Sequence, residues 1–576
     1  MNLNESTIEN LTIELLGEAG FAYANPAELE PEREDLGQVV LVGRLRAAIG
    51  RLNPELADEA RNFAVSQILN TASLTDNVIE NNRAMHLLLT EGVQVEILED
   101  GHMRGKVVRI IDWDNISNND LLATNQFYIK GLERDKIPDV ILFVNGLPLV
   151  VIELKDAKNE EATVHKAFTQ LTNYQKAIPD LFACNGLLVI SDGLDARAGT
   201  ITSGFDRFLA WKSVDGIKDA KRTTAQIETL VLGMLNPKVL LDLIHNFTVF
   251  EVEKKILPDG SLDMRTIKKT AAYHQYFAVQ KAIDSTKKAI NGDHRAGVVW
   301  HTQGSGKSLS MVFYAGKIVQ QLNNPTIVIL TDRNDLDQQL FDTFAGAKEL
   351  LRQEPVQANS RADLRKLLAT NGGGVIFTTI QKFSLLDGET EYSALSDRSN
   401  IVVMADEAHR SQYGFSAKVS ENEDGAFVKY GFAKYVRDAL PNASFLGFTG
   451  TPVEKDDANT RAVFGEYVDV YDIQAAVEDG ATVPISYESR LVKLNFDENK
   501  KAELDRAVDD VLESEESTVT EKAKAKWAQM EAIVGHQARI ADVARDIVSH
   551  FEARQEVFDG KAMIVAMSRR IAVLLY

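Results

Sequence analysis

Five short apolar runs, at 297–300, 326–330, 374–378, 401–404 and 444–448, each end in polar residues and are each followed by a stretch of helical pattern. A chain with this rhythm hides its strands between layers of helix, so it folds as a parallel sheet with helices on both faces. Ligand-binding groups then collect at the carboxyl ends of the strands. The first run leads into Gln303-Gly304-Ser305-Gly306-Lys307-Ser308, and the fourth into Asp406-Glu407-Ala408-His409.

The glycines of the first motif let backbone N–H groups approach phosphates closely, Lys307 can reach the outer phosphates, and Ser308 can hold magnesium at the start of a helix. Asp406, at a strand end, suits the same magnesium, and Glu407 is placed to polarise an attacking water. Taken alone, 303–308 also fits an accidental glycine turn, and His409 fits a polar surface residue. The two motifs together favour nucleotide hydrolysis. His301 stands where the general phosphate-loop pattern has its first glycine.

Upstream, residues 1–215 alternate helical stretches with strand-like runs at 94–98, 107–112, 140–144, 149–154 and 186–190, the pattern of a mixed α/β domain. Asn145-Gly146 predicts a hairpin between the third and fourth runs, which returns residues 152–154 alongside Asp139. Glu153 and Lys155, two apart on a strand, share a face. Asp139 and Glu153 offer hard oxygen ligands to magnesium, and Lys155 can orient water or stabilise charge during phosphodiester hydrolysis. The same residues also fit a hairpin whose charged ends merely reach solvent. Gln170 and Tyr174, at i and i+4 on the next helix, add two polar groups on one face.

The expected organisation is therefore 1–215, a nuclease-like domain; 216–265, a helical and charged linker; 266–475, a parallel-sheet domain; and 476–576, a partial second sheet domain with a charged helical segment. In the last region Ile540, Val543, Ile547 and Phe551 fall on one helical face, and 561–567 is strand-like. With 576 residues and 45% apolar content, several cores are within reach. A net charge of −21 excludes DNA binding by bulk charge, so any phosphate contact is local. The run 140–152 is interrupted by Asn145-Gly146 and Pro148, leaving nothing to span a membrane. The lone Cys184 and the absence of a secretory pattern point to a reducing cytoplasm.

Pro138-Asp139, Glu153-Leu154-Lys155 and Gln170-x-x-x-Tyr174 in this order resemble the PD-(D/E)xK nuclease fold, and the text from Asp139 to Lys155 is similar to the restriction (R) subunit of type I restriction-modification enzymes. The resemblance implies that Gln170 and Tyr174 belong to the nuclease site and help hold DNA, and that an early acid, Glu5 or Glu14, can join it. Thr331-Asp332-Arg333, Thr378-Thr379-Ile380-Gln381 and Thr449-Gly450-Thr451-Pro452 resemble superfamily 2 helicase motifs, and Gln275 resembles the glutamine that recognises adenine. The fold implied is α/β throughout: a nuclease-like domain, a RecA-like motor domain and the beginning of a second. ATP and magnesium are the implied cofactors. Double-stranded DNA, a methyltransferase subunit and a specificity subunit are the implied partners, with translocation and cleavage far from the recognition site as the implied activity.

The later family motifs, including an arginine finger, are not found before Tyr576. The expectation is a truncated product that retains the fold, with little ATPase activity and no translocation. A repair-type helicase-nuclease and a silent DNA- or partner-binding fragment are the competing readings. The nuclease lies before the motor, which disfavours the type III arrangement.

Overall fold

The computed structural model describes residues 5–99, 101–132, 134–156, 164–257, 260–331, 334–370, 372–383, 394–408, 418–422, 425–429, 432–451, 460–490, 531, 534–535, 537–557 and 560–576. The chain divides into two compact units, Met1–Val483 and Pro484–Tyr576. The expected boundaries after 215 and 265 both fall inside the first unit.

In that unit β1 (Ala22–Tyr23) is followed by a hairpin of β2 (Val93–Glu99) and β3 (His102–Val108). Then come β4 (Leu121–Asn125), β5 (Val140–Val144), β6 (Leu147–Leu154), β7 (Leu187–Ser191), β8 (Ala196–Gly199) and β9 (Leu209–Ala210). The first sheet has the order β1-β4-β5-β6-β7-β8-β9. Strands β5, β6 and β7 are buried at every residue, as their nearly continuous Val, Ile and Leu content requires. Each such side chain contributes roughly 1.5–3 kcal/mol on leaving water.

The turn joining β5 to β6 is the two-residue type that Asn-Gly favours: Asn145 has φ 52° and Gly146 φ 80°. It is buried rather than solvent-facing. Asn145 Oδ1 accepts the Asp120 N–H at 2.7 Å and its Nδ2 donates to Ile110 O at 2.8 Å, while a Cβ on Gly146 would lie 2.4 Å from Leu41 O. Beyond the turn Phe143 pairs with Pro148, but Leu142 pairs with Val150, leaving Leu149 as an extra residue. Pro148 has no N–H to give the ladder, which is where a bulge costs least. The bulge continues the register from Val140–Ile152 to Asp139 beside Glu153. Without it Asp139 would face Ile152.

Residues 216–265, expected as a linker, instead pack into the same core as both sheets. They form Gln226–Thr229, a π-turn at Leu230–Met234, the helix Pro237–Asn246 and strand β10 (Thr248–Ile256), which pairs with β11 (Leu262–Thr270). Ile244 lies so close to β7 that a Cβ on Gly186 would sit 2.8 Å from its Cδ1. Lys254 and Arg265, whose charge suggested a linker, are exposed on the β10–β11 hairpin, while Ile227, Leu230, Leu240 and Ile244 are buried. The charges lie on the exposed part of that hairpin.

The second sheet contains β12 (Arg295–His301), β13 (Thr326–Thr331), β14 (Val356–Gln357), β15 (Val375–Thr379) and β16 (Ile401–Ala405). A separate hairpin, β17 (Lys418–Asn422) and β18 (Gly425–Lys429), precedes its last strands, β19 (Ser444–Thr449) and β20 (Tyr467–Tyr471). Its order is β14-β15-β13-β16-β19-β12-β20, and every neighbouring pair is parallel. The five anticipated strands are β12, β13, β15, β16 and β19.

In the second unit the helix Gln537–Gln555 turns Ile540, Val543, Ile547 and Phe551 to its more covered side. Residues 561–567, expected as a strand, have no ladder partner among the described residues, and Met563 and Val565 are exposed. A β-rich run without a neighbouring strand has no ladder to join. Among the described residues, no helix is long and apolar enough to cross a membrane.

Candidate catalytic sites: two carboxylate-lysine clusters

At the carboxyl end of β6, Glu153 is completely buried and Asp139 is 5% exposed. Lys155 Nζ donates to Glu153 Oε1 at 2.7 Å and lies 4.0 Å from Asp139 Oδ2. Asp139 Oδ2 also accepts the Leu154 N–H at 2.7 Å. Glu153 Oε2 is buried with no hydrogen-bond partner. Burial, and then the Asp139 charge, push the Glu153 carboxyl up to about 9 against the pull of Lys155. Burial raises Asp139 as well, opposed by the Leu154 N–H and Lys155.

Two adjacent buried carboxylates with one unsatisfied oxygen are the donor set a divalent cation relieves. Among the described residues no group of three or more His, Cys, Asp or Glu converges on one point. Magnesium needs no such group, since it binds through one or two carboxylates and keeps several waters. The fit therefore rests on the Asp139–Glu153 pair.

Of the two early acids, Glu5 reaches the cluster: its Oε1 is 3.9 Å from Lys155 Nζ, and burial raises its carboxyl above the usual range. Glu14 is exposed, about two and a half turns further along the helix Glu5–Ala19. On the helix Val164–Ala177, Gln170 Nε2 donates to the Tyr174 hydroxyl at 2.6 Å, which in turn donates to Ile137 O at 3.3 Å. Burial and the nearby Glu153 charge hold the Tyr174 phenol protonated.

The second cluster forms where β12 meets the helix Lys307–Gln321. Gly304 and Gly306 take φ 85° and 83°, and a Cβ on Gly306 would fall 2.5 Å from Gln275 Nε2. Only glycine fits such an approach. This is a cradle of the kind that receives phosphate, with Ser308 in the first helical turn. Lys307 Nζ lies 3.1 Å from Asp406 Oδ1 and 2.9 Å from Glu407 Oε1, just after β16. Gln275 is buried, accepting the Ala272 N–H at 2.9 Å and donating to Gly306 O at 3.0 Å. Gln303 packs under Gly450, whose Cβ would lie 3.0 Å from its Cγ. Asp332, Arg333, His409 and Pro452 lie outside the described residues.

Several supporting residues carried no signal in the sequence for the contacts they make. Glu9 accepts from Asn125 Nδ2 and from Gln126 Nε2, the latter at 2.8 Å, and Gln126 also reaches Asp139 Oδ1 at 3.4 Å. His301, in place of the usual glycine, bonds Asp469 Oδ2 through Nε2 at 3.0 Å, while His274 stacks on Tyr471 at 3.9 Å and meets Ser305 O at 3.1 Å. Thr482 approaches the phosphate loop, its Cγ2 3.1 Å from where Gly304 would carry a Cβ. Each joins residues far apart in the chain. Cys184 is a buried core residue whose thiol burial pushes up to about 12.

Residues 2–207 match the family model of the type I restriction enzyme R protein N terminus, and residues 274–522 match that of the SWI2/SNF2 ATPases. The type I restriction enzyme HindI endonuclease subunit of Haemophilus influenzae is 45% identical over 590 residues, an alignment covering 100% of this chain and 54% of that protein. The putative type I restriction enzyme MjaIXP endonuclease subunit of Methanocaldococcus jannaschii is 35% identical over 607 residues, with the same two coverages. The chain thus spans about half the length of these curated relatives. Both clusters lie inside the matched segments, and along its whole length the chain is similar to type I restriction enzyme endonuclease (R) subunits.

Proposed function

We propose that this chain supplies the motor and the endonuclease of a type I restriction complex, moving double-stranded DNA with ATP and cutting unmodified DNA far from the recognition site. The observation that carries the reading is the presence, within one folded unit, of Lys155 against Glu153 and Lys307 against Asp406 and Glu407. Recognition and methylation then belong to a specificity subunit and a methyltransferase subunit, in the cytoplasm.

In the nuclease cluster Asp139 and Glu153 would hold magnesium, which when bound neutralises charge on the scissile phosphate and acidifies water. Lys155, fixed by Glu153, directs its ammonium at the attacking water or the developing phosphorane charge. Gln170 and Tyr174 hold the strand. In the motor cluster the N–H groups of the phosphate loop and Lys307 take the phosphates, while Ser308 and Asp406 would hold the nucleotide's magnesium. Glu407 positions the attacking water, Gln275 reads adenine, and His409 links the nucleotide and DNA sites.

The test uses the complete complex with unmodified circular DNA, ATP and magnesium. Asp139→Ala should lower cleavage by about three orders of magnitude, about 4 kcal/mol of transition-state stabilisation, while ATP hydrolysis persists. Lys307→Ala should abolish both activities, because cutting follows movement. Undiminished cleavage by Asp139→Ala would overturn the assignment.

A further inference from the structure

Asp139, Glu5 and Glu9 lie near one another beside the buried Glu153, and acids there repel the DNA backbone they are meant to meet. One wall of a groove at Gln170 and Tyr174 is different in kind. This groove, of about 470 Å³, is lined by Lys136, Lys166, Thr169, Gln170, Asn173 and Tyr174. Its one acid, Asp135, accepts the Tyr128 hydroxyl and the Gly131 N–H. Positions 166, 169, 170, 173 and 174 share a face of the helix Val164–Ala177.

Lys136 comes from another element, held in a two-way backbone bridge with Ile129, and its Nζ lies 5.7 Å from the Tyr174 ring centroid. Two amines from separate elements therefore flank the Gln170–Tyr174 pair, on a chain whose net charge is −21. From Lys166 to Asn173 the helix rises roughly 10 Å. That is about three phosphate steps of one strand at 3.4 Å along the duplex axis.

We infer that this wall is a phosphate track: Lys136 and Lys166 each neutralise a backbone phosphate of duplex DNA beside the scissile one, while Thr169 and Asn173 lie along the same strand. The inference rests on the nuclease reading above and adds where the substrate runs. The amines offset the repulsion of the acid cluster, so DNA can stay in place while magnesium comes and goes. They act on binding rather than on bond breaking.

The measurement is a fluorescence titration of this chain with a labelled duplex oligonucleotide, in EDTA, over a range of NaCl concentrations. Each lost phosphate contact flattens the slope of log K against log salt by about 0.9 for duplex and about 0.7 for a single strand. The double variant Lys136→Gln with Lys166→Gln should bind more weakly and lose about 1.8 from the duplex slope. Lys136→Arg with Lys166→Arg should keep the parental slope. In the complete complex the glutamine variant should raise KM for DNA while turnover at saturating DNA persists.

An unchanged slope in the glutamine variant, with an unchanged unfolding midpoint, would overturn the track. So would a fall in turnover at constant KM. A loss of about 1.4, seen only with single-stranded DNA, would overturn the duplex assignment. The EDTA titration involves no cleavage, so failure of the nuclease role would appear in Asp139→Ala and leave this slope unaffected.

Discussion

Both clusters set an amine between two carboxylates, but they are assembled by different means. Asp139, Glu153 and Lys155 ride on the two strands of one hairpin, and the ladder itself aligns them. Lys307 and Glu407 are 100 residues apart and meet where a helix begins and a strand ends, with Glu407 at φ 49°. The consequence is electrostatic. Glu153 is sealed at 0% exposure, whereas the side chains of Asp406 and Glu407 retain 25% and 19%. A cluster made inside a ladder is the more deeply buried, while one made at loop ends keeps more carboxylate surface open to a ligand arriving from solvent.

The sharpest way to break this comparison is Glu153→Gln. If Glu153 is a cation ligand held at the cost of burial, the variant should lose magnesium-dependent cutting by about a thousandfold, about 4 kcal/mol. Without metal it should unfold at about the same temperature as the parent, because burial holds this carboxyl at about 9, so it is already neutral at pH 7 and glutamine replaces it at the same size. A large drop in metal-free stability would mean that Glu153 is structural.

A third buried lysine provides the contrast. Lys268 is 2% exposed and donates to Asn185 O at 2.7 Å, with no carboxylate in ion-pair range among the described residues, and burial lowers its pKa to about 7. The unfolded chain, with a lysine pKa near 10.4, holds the proton more tightly. The penalty is therefore complete below about pH 7, and stability rises with pH from about 7 to about 10. At about 1.36 kcal/mol per unit the penalty is about 4–5 kcal/mol. Lys268→Met forfeits a charge-assisted bond worth about 1.5–3 kcal/mol and should gain about 2 kcal/mol at pH 6. The gain should shrink toward pH 10, as denaturant melts at several pH values would reveal.

Gly146→Ala tests the turn that sets the nuclease register. Its Cβ would enter backbone at Leu41 O and take a residue with φ 80° out of glycine's range. The expected loss is about 2 kcal/mol of stability, read from chemical denaturation. ATP turnover in the complete complex should remain, since the motor cluster does not depend on that ladder.

The two regions also differ in how far their residues could be read beforehand. Asn145-Gly146 and the apolar runs on either side announce the hairpin, because turn type and strand pattern depend on near neighbours. The bulge at Leu149 could not be read, since it depends on what Pro148 leaves unpaired in the ladder. Glu5 and Glu14 look equivalent in sequence, and only the packing of their helix against β4 and β6 brings Glu5 to Lys155. Residues 216–265 lie inside the first compact unit, and the charges that suggest a linker sit on the exposed part of the β10–β11 hairpin. Residues 561–567 were misread because strand propensity was not matched by a partner strand among the described residues.

By itself the sequence determined which chemical groups were present and their local frames: the glycine cradle before a helix, the acid at a strand end, and the Glu-x-Lys pair on one face. These depend on dihedral preferences and on periods of two or 3.6 residues, which operate over a few positions. Only the tertiary structure decided which distant groups met: Glu5 with Lys155, Glu407 with Lys307, His301 with Asp469. Those contacts are set by how sheets and helices pack into one core, and burial in that core is what drives Glu153 away from its solution behaviour.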